Sequence, residues 1–183
     1  MQTKILLIDE QYLRDTSTID LNVDSKLINP SIEDAQDKYI LSILGSELYN
    51  DIVNSVSSST VSSSYRLLLD LYIKPCLAKY TMMDIVPFLC YKFTNKGVVK
   101  QNSDNNEAIN SKDMDRLIER FRDSAEISAQ RLTKHLISNP TTFPLYATIG
   151  NTIESIYPNS DNFTGGIYTS GNKTNYRRGY DKP

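Results

Sequence analysis

Very few side chains in this sequence could do chemistry. One histidine, His135, and two cysteines, Cys76 and Cys90, stand among 183 residues. A cysteine nucleophile needs a base within hydrogen-bond reach, and His135 is the sole imidazole available to either thiol. A zinc site needs three or four ligands, so several carboxylates would have to join these residues. Asp113, Asp115 and Glu119 are spaced for paired acid and base work, yet they sit among Lys112, Arg116, Arg120 and Arg122, as a solvated, salt-bridged helix face would. Gly165 and Gly166 lack the following Lys-Ser/Thr and the preceding strand of a phosphate loop. The expectation is a non-enzyme with no catalytic residue, no metal and no cofactor.

One cluster near the end of the chain suits contact better than catalysis. Arg177 and Arg178 lie between Tyr176 and Tyr180, where guanidinium groups could meet phosphates and rings could stack on bases. With Phe163 and Tyr168, the same residues are amphipathic anchors of the kind protein interfaces use. Phe163, Tyr168, Tyr176, Arg177, Arg178 and Tyr180 are therefore the candidate partner-contacting residues. Of the twelve tyrosines, Tyr39, Tyr65, Tyr72 and Tyr80 read instead as half-buried core.

The elements that position these residues read as mainly α, a small helical bundle with a long final helix, a short β-hairpin or extended excursion, and extended arms at both ends. Residues 1–29 read as an N-terminal arm: Asp9 can cap one or two turns through Leu13, and Ile19, Leu21 and Val23 alternate as an edge strand would. A helix then starts with Asn29 as cap and Pro30 in first position, carries Ile28, Ile32, Ala35, Tyr39, Ile40 and Ile43 on its apolar stripe, and stops at Gly45. Ser46 caps a short helix whose Leu48, Ile52 and Val53 face inward. Seven serines between Ser55 and Ser64 predict a loop.

Ser64 is the expected cap of a largely apolar helix carrying Leu67, Leu71, Tyr72 and Met83 and running on through Val86 as part of the core, and the apolar segment from Tyr65 to Phe93 holds both cysteines as reduced structural residues. Pro75 and Pro87 should kink or break it. Gly97 ahead of Val98 and Val99 predicts a hairpin-like turn between Thr94 and Asn110. Ser111 caps a helix to about Ser138. At the rise of an α-helix it is roughly 40 Å long. Met114, Leu117, Ile118, Phe121, Ala125, Leu132 and Leu136 face inward on it, with His135 at its surface end. The body is thus 30–146. Residues 147–183 form an extended Gly/Tyr-rich tail, with four of the seven glycines after Pro158.

Charge narrows the partners. With 20 Lys plus Arg against 22 Asp plus Glu, the chain carries -2 and no global positive field for nucleic acid. The tail alone is mildly basic, Lys173, Arg177, Arg178 and Lys182 against Asp161 and Asp181. The apolar run near Ile5 is shorter than a signal-peptide core, and charges and prolines interrupt the stretch from Tyr65 to Phe93, so neither a leader nor a membrane span is expected.

The order of these features resembles a known family. Ile32-x-x-Ala35-Gln36 running into Leu44-Gly45-x-x-Leu48-Tyr49, the turn Asn95-Lys96-Gly97-Val98-Val99, and the final helix ending at Asn139 with Phe143-Pro144 downstream are similar to head-tail connector (portal adaptor) proteins of tailed bacteriophages, closest to those of phages of Bacteroides-like hosts. The likeness covers roughly residues 5–146. It implies a non-enzymatic virion protein, assembled in the host cytoplasm, that forms a homo-oligomeric ring of twelve beneath the portal protein. Such a ring extends the DNA channel, docks a tail or second connector ring, and lets packaged DNA pass without specific binding. The alternative is a helical nucleic-acid-binding packaging or regulatory factor that uses the basic tail.

Overall fold

The computed structural model describes residues 4–19, 22–94, 97–100, 110–147 and 156–158. The described chain is mainly helical, and its first helix shows how the N-terminal region joins the body. Asp9 accepts the amide of Tyr12 and starts α1 (Glu10–Thr16). Leu7, Ile8, Leu13 and Ile19 are all buried. The expected extended arm over residues 1–29 is therefore corrected where it is described: four apolar side chains in this stretch enter the core, and each gains about 1.5–3 kcal/mol by leaving water.

The next helix, α2 (Ser25–Ala35), begins ahead of the Asn29-Pro30 start that local signals favour. Its cap is Asp24, which accepts the amide of Lys26. Pro30 consequently sits inside the helix, and Lys26, whose carbonyl loses that donor, is exposed. The helix runs through a π turn (Gln36–Ile40) into α3 (Leu41–Leu44). Ile28, Ile32, Ala35 and Ile40 on the expected stripe have no exposure. Gly45, at φ 74° and ψ 158°, turns the chain sharply into α4 (Ser46–Ser57), which buries Leu48, Tyr49 and Ile52. Ser46 is thus the first helical residue, and Gly45 takes the cap position.

The serine-rich loop is shorter than its composition suggests. Helix α4 continues to Ser57 because Val53 and Val56 pack against the core, and Ser62, ahead of the expected Ser64, caps α5 (Ser63–Leu68) by accepting the amide of Tyr65.

Pro75 does not break the long apolar helix. A π turn (Leu69–Ile73) precedes it, with Lys74 N–H reaching the Leu69 carbonyl, and α6 (Lys74–Cys90) continues. Proline cannot donate to the carbonyl four residues back, and widening that turn by one residue absorbs the lost bond and the ring. Pro87 likewise lies within α6. Leu67 and Leu71, expected inside, are 48% and 61% exposed.

Strands β1 (Tyr91–Thr94) and β2 (Gly97–Lys100) pair antiparallel, with Tyr91 opposite Lys100 and Thr94 opposite Gly97. Helix α7 (Ser111–Ser138) follows, with Asn110 rather than Ser111 in the cap position. It packs mainly on α6, which also packs on α2. Met114, Ala125, Leu132 and Leu136 are buried as expected, whereas Leu117, Ile118 and Phe121 are half-buried. Asn139 N–H and side chain close the end of α7, and a 3-10 turn (Pro144–Ala147) follows Phe143, itself buried. No described helix is long and apolar enough to cross a membrane.

Candidate interaction surface

The reactive residues are placed as packing elements. Cys76 on α6 is buried against α7, its Sγ 4.0 Å from the Ala125 carbonyl oxygen. Burial pushes its thiol up to about 12, with neighbouring Lys79 opposing only weakly. Lys79 is itself engaged, donating to Ser128 Oγ at 2.6 Å. His135 lies well beyond Ala125 on the same helix. The helical rise puts the two roughly 15 Å apart along its axis. His135 is not a free surface residue: its ring stacks on Tyr72 at 4.3 Å and 16°, and it meets Phe143 at 5.8 Å. Thiol and imidazole thus belong to different parts of the α6–α7 seam. Asp113, Asp115 and Glu119 are exposed, with Arg116 3.4 Å from Asp113. Among the described residues, no three His, Cys, Asp or Glu side chains converge to hold a metal.

The tyrosines fulfil the core role expected of them. Tyr39 stacks on Tyr80 at 4.0 Å and 8°, and its hydroxyl donates to Asp84 Oδ1 at 3.1 Å. Lys38 Nζ is 3.2 Å from the other oxygen of the same carboxylate. Tyr65 donates to Asp51 at 2.6 Å. Burial first, then the adjacent carboxylate, raises both phenols to about 12.

A different cluster dominates the polar interior. Gln36, fully buried on the first π turn, accepts the Leu7 amide at 2.8 Å and donates to the Ile5 carbonyl at 3.0 Å and to Tyr49 Oη at 2.7 Å. Lys4 pairs with Asp37 alongside and lies 3.8 Å from Glu33. One buried amide therefore holds residues 4–7 to the body. The signal was present in the sequence: Gln36 lies one helical turn after Ile32 on the apolar stripe, and a polar residue there must bring its own partners inside.

The start of α4, whose Tyr49 braces Gln36, holds the other end of the described chain. Ser46 N–H donates to the Ile156 carbonyl at 2.9 Å, and Ile156 N–H donates back to Ser46 Oγ at 2.7 Å. Pro158 then lies over Gly45, where a Cβ would come within 2.7 Å of its Cγ and Cδ. Ile156 and Tyr157 remain 43% and 59% exposed. Phe163, Tyr168, Tyr176, Arg177, Arg178 and Tyr180 lie outside the described residues, as does the turn at Asn95 and Lys96. The extended tail expected over 147–183 is corrected where it is described: Ala147 ends a 3-10 turn and residues 156–158 are held against the start of α4.

An apolar groove of about 800 Å³ opens elsewhere, between the α1–α2 connection, the end of α6 and the start of α7. Leu27, Met82, Val86, Leu89 and Phe121 line it, and Asp24 and Lys26 stand exposed at its mouth. Leu27 and Gly45 stand near opposite ends of the rod formed by α2, the π turn and α3. At the helical rise, that rod separates the groove from the tail's departure point by roughly 27 Å.

The profile of a family of unknown function, DUF6712, matches residues 40–156, more than half of the chain. No curated protein matches, and no solved structure does either.

Proposed function

The chain belongs to the family of unknown function DUF6712, and from that premise we propose that it is a virion structural protein, a ring subunit that joins head to tail beneath a bacteriophage portal and continues the DNA channel. The observation that carries this reading is a pair of clamps, Gln36 on the π turn ahead of α3 and Gly45-Ser46 at the α3–α4 corner. Of the residues that give the sequence its connector-like pattern, Gln36 bonds Leu7 and Ile5 and is braced by Tyr49, while Gly45 leaves room for Pro158 beside Ser46, which bonds Ile156. A part built to assemble needs its terminal segments launched from defined places on a rigid body, and these clamps supply that for both.

Charge supports the same reading. An acidic body offers phosphate few cations to grip, so packaged DNA would slide past it. The partners are further copies of the chain, the portal protein and a tail or second connector ring. Cryo-electron microscopy of purified virions tests this: density for the chain is expected at the portal vertex, and its absence there overturns the proposal. The nucleic-acid alternative rests on Arg177 and Arg178 alone. Binding to duplex DNA across salt, with both changed to Ala, separates the two readings.

A further inference from the structure

We propose that the apolar groove between α2, α6 and α7 receives the C-terminal tail of a second copy of this chain, with Phe163 and Tyr168 as its anchors. The inference rests on the ring reading for its setting and on the positions of groove and tail for its substance. Leu27, which lines the groove together with Met82, Val86, Leu89 and Phe121, is 37% exposed, so the groove presents apolar surface that an occupant would cover. Its volume matches cavities that take several apolar side chains.

The tail fits this site in length, anchors and charge. Positions 159–183 follow Pro158, which is seated on Gly45 at the far end of the α2–α3 rod. At full extension the chain from Pro158 reaches roughly 17 Å at Phe163 and roughly 34 Å at Tyr168, so over the roughly 27 Å back to its own groove it could bring Tyr168 but not Phe163, and a neighbour's groove is needed to seat both anchors. A neighbour placed head to tail brings its groove within that reach. The tail carries four cations against Asp161 and Asp181, a net +2, so the rest of the -2 chain carries -4. Opposite charge draws one copy's tail to the next copy's body, while the aromatic anchors supply the specific contact. A donor at one end and an acceptor at the other make a heterologous joint, which propagates and closes into a ring when the rotation allows.

The test is sedimentation of the full chain in four samples: wild type, the tail variant Phe163→Ser/Tyr168→Ser, the groove variant Leu27→Glu, and an equimolar mixture of the two variants. Wild type is expected to associate with rising concentration, and each variant to dissociate at least tenfold more readily. The mixture is expected to stop at dimers, because one intact tail then meets one intact groove. Leu117→Glu, on the opposite wall and half-buried, serves as a second groove variant, and far-ultraviolet circular dichroism checks that each variant is folded. A wild type that stays monomeric, variants that associate as wild type does, or a mixture that behaves as either variant alone would each overturn the proposal. None of these outcomes bears on whether the chain sits at the portal vertex, which the virion reconstruction reads separately.

Discussion

Pro158 occupies the space that a side chain at residue 45 would need: a Cβ on Gly45 would stand 2.7 Å from both Cγ and Cδ of the proline ring. Two residues far apart in sequence are thereby locked by the absence of one carbon atom.

Gly45→Ala should therefore be costly on two independent counts. The backbone at φ 74° and ψ 158° is nearly exclusive to glycine. Holding alanine there costs on the order of 1–3 kcal/mol. The contact with Pro158 adds to this or expels Ile156–Pro158 from the corner. Urea unfolding should show a loss of about 2 kcal/mol or more. Pro158→Ala in the Gly45→Ala background should recover only the steric part. Full recovery would mean that the backbone conformation carries no cost.

Gln36→Leu keeps the volume of the side chain and removes all three of its hydrogen bonds. The Leu7 amide, the Ile5 carbonyl and Tyr49 Oη then lose their partner in a buried setting. With each orphaned group costing on the order of 1–3 kcal/mol and some regaining water, a loss of about 3 kcal/mol is expected. Native-state hydrogen exchange locates the effect: the Leu7 amide should lose protection while amides in the middle of α6 keep theirs. Uniform loss along the chain would show that Gln36 supports the whole core rather than the N-terminal clamp.

Much of this arrangement is written in local patterns, and the rest is not, for identifiable reasons. The apolar stripe from Ile28 to Ile43, the stop at Gly45 and the extent of α7 follow from spacing and end signals that tertiary packing reinforces. Local signals fail where packing outweighs them. Asn29-Pro30 is a good helix start, yet burying Ile28 from within a helix draws the start back to Asp24. Pro75 reads as a breaker, but a π turn just upstream absorbs it. Serines at the end of α4 stay helical because Val53 and Val56 need the core. The seat of Ile156 on Ser46 joins positions 110 apart, and no periodicity within either segment points to the other. The candidate anchors of the tail are legible as residue types, while the groove proposed to take them emerges only when α2, α6 and α7 are assembled.

The two cysteines should separate cleanly in reactivity. Cys76 is fully buried with its thiol raised to about 12, so at neutral pH it holds almost no thiolate and is closed to reagent. Cys90, at the end of α6, is half-buried. Native protein treated with a thiol reagent should label first at Cys90. Cys76 should label only at the rate of unfolding, speeding up with denaturant. Prompt labelling of Cys76 in the native protein would point to a functional thiol.

Tyrosine ionisation offers a test of the packing around Asp84 and Asp51. In the folded chain Tyr39 and Tyr65 keep their protons to about pH 12, chiefly because burial disfavours the phenolate and secondarily because each donates to a carboxylate. Unfolded tyrosine loses its proton near about pH 10. Between those limits the native state binds more protons than the unfolded state, so the stabilisation is complete below about pH 10 and declines as pH rises toward 12. Phenolate absorbance should accordingly show a late fraction of tyrosines titrating together with loss of helical circular dichroism. Asp84→Asn removes the carboxylate charge facing Tyr39 but leaves its burial and its stack on Tyr80. The late fraction should then lose one tyrosine to a lower pH, still above that of free tyrosine, while Tyr65 is unmoved. An unchanged titration curve would show that the Asp84 contact contributes nothing to holding the Tyr39 proton.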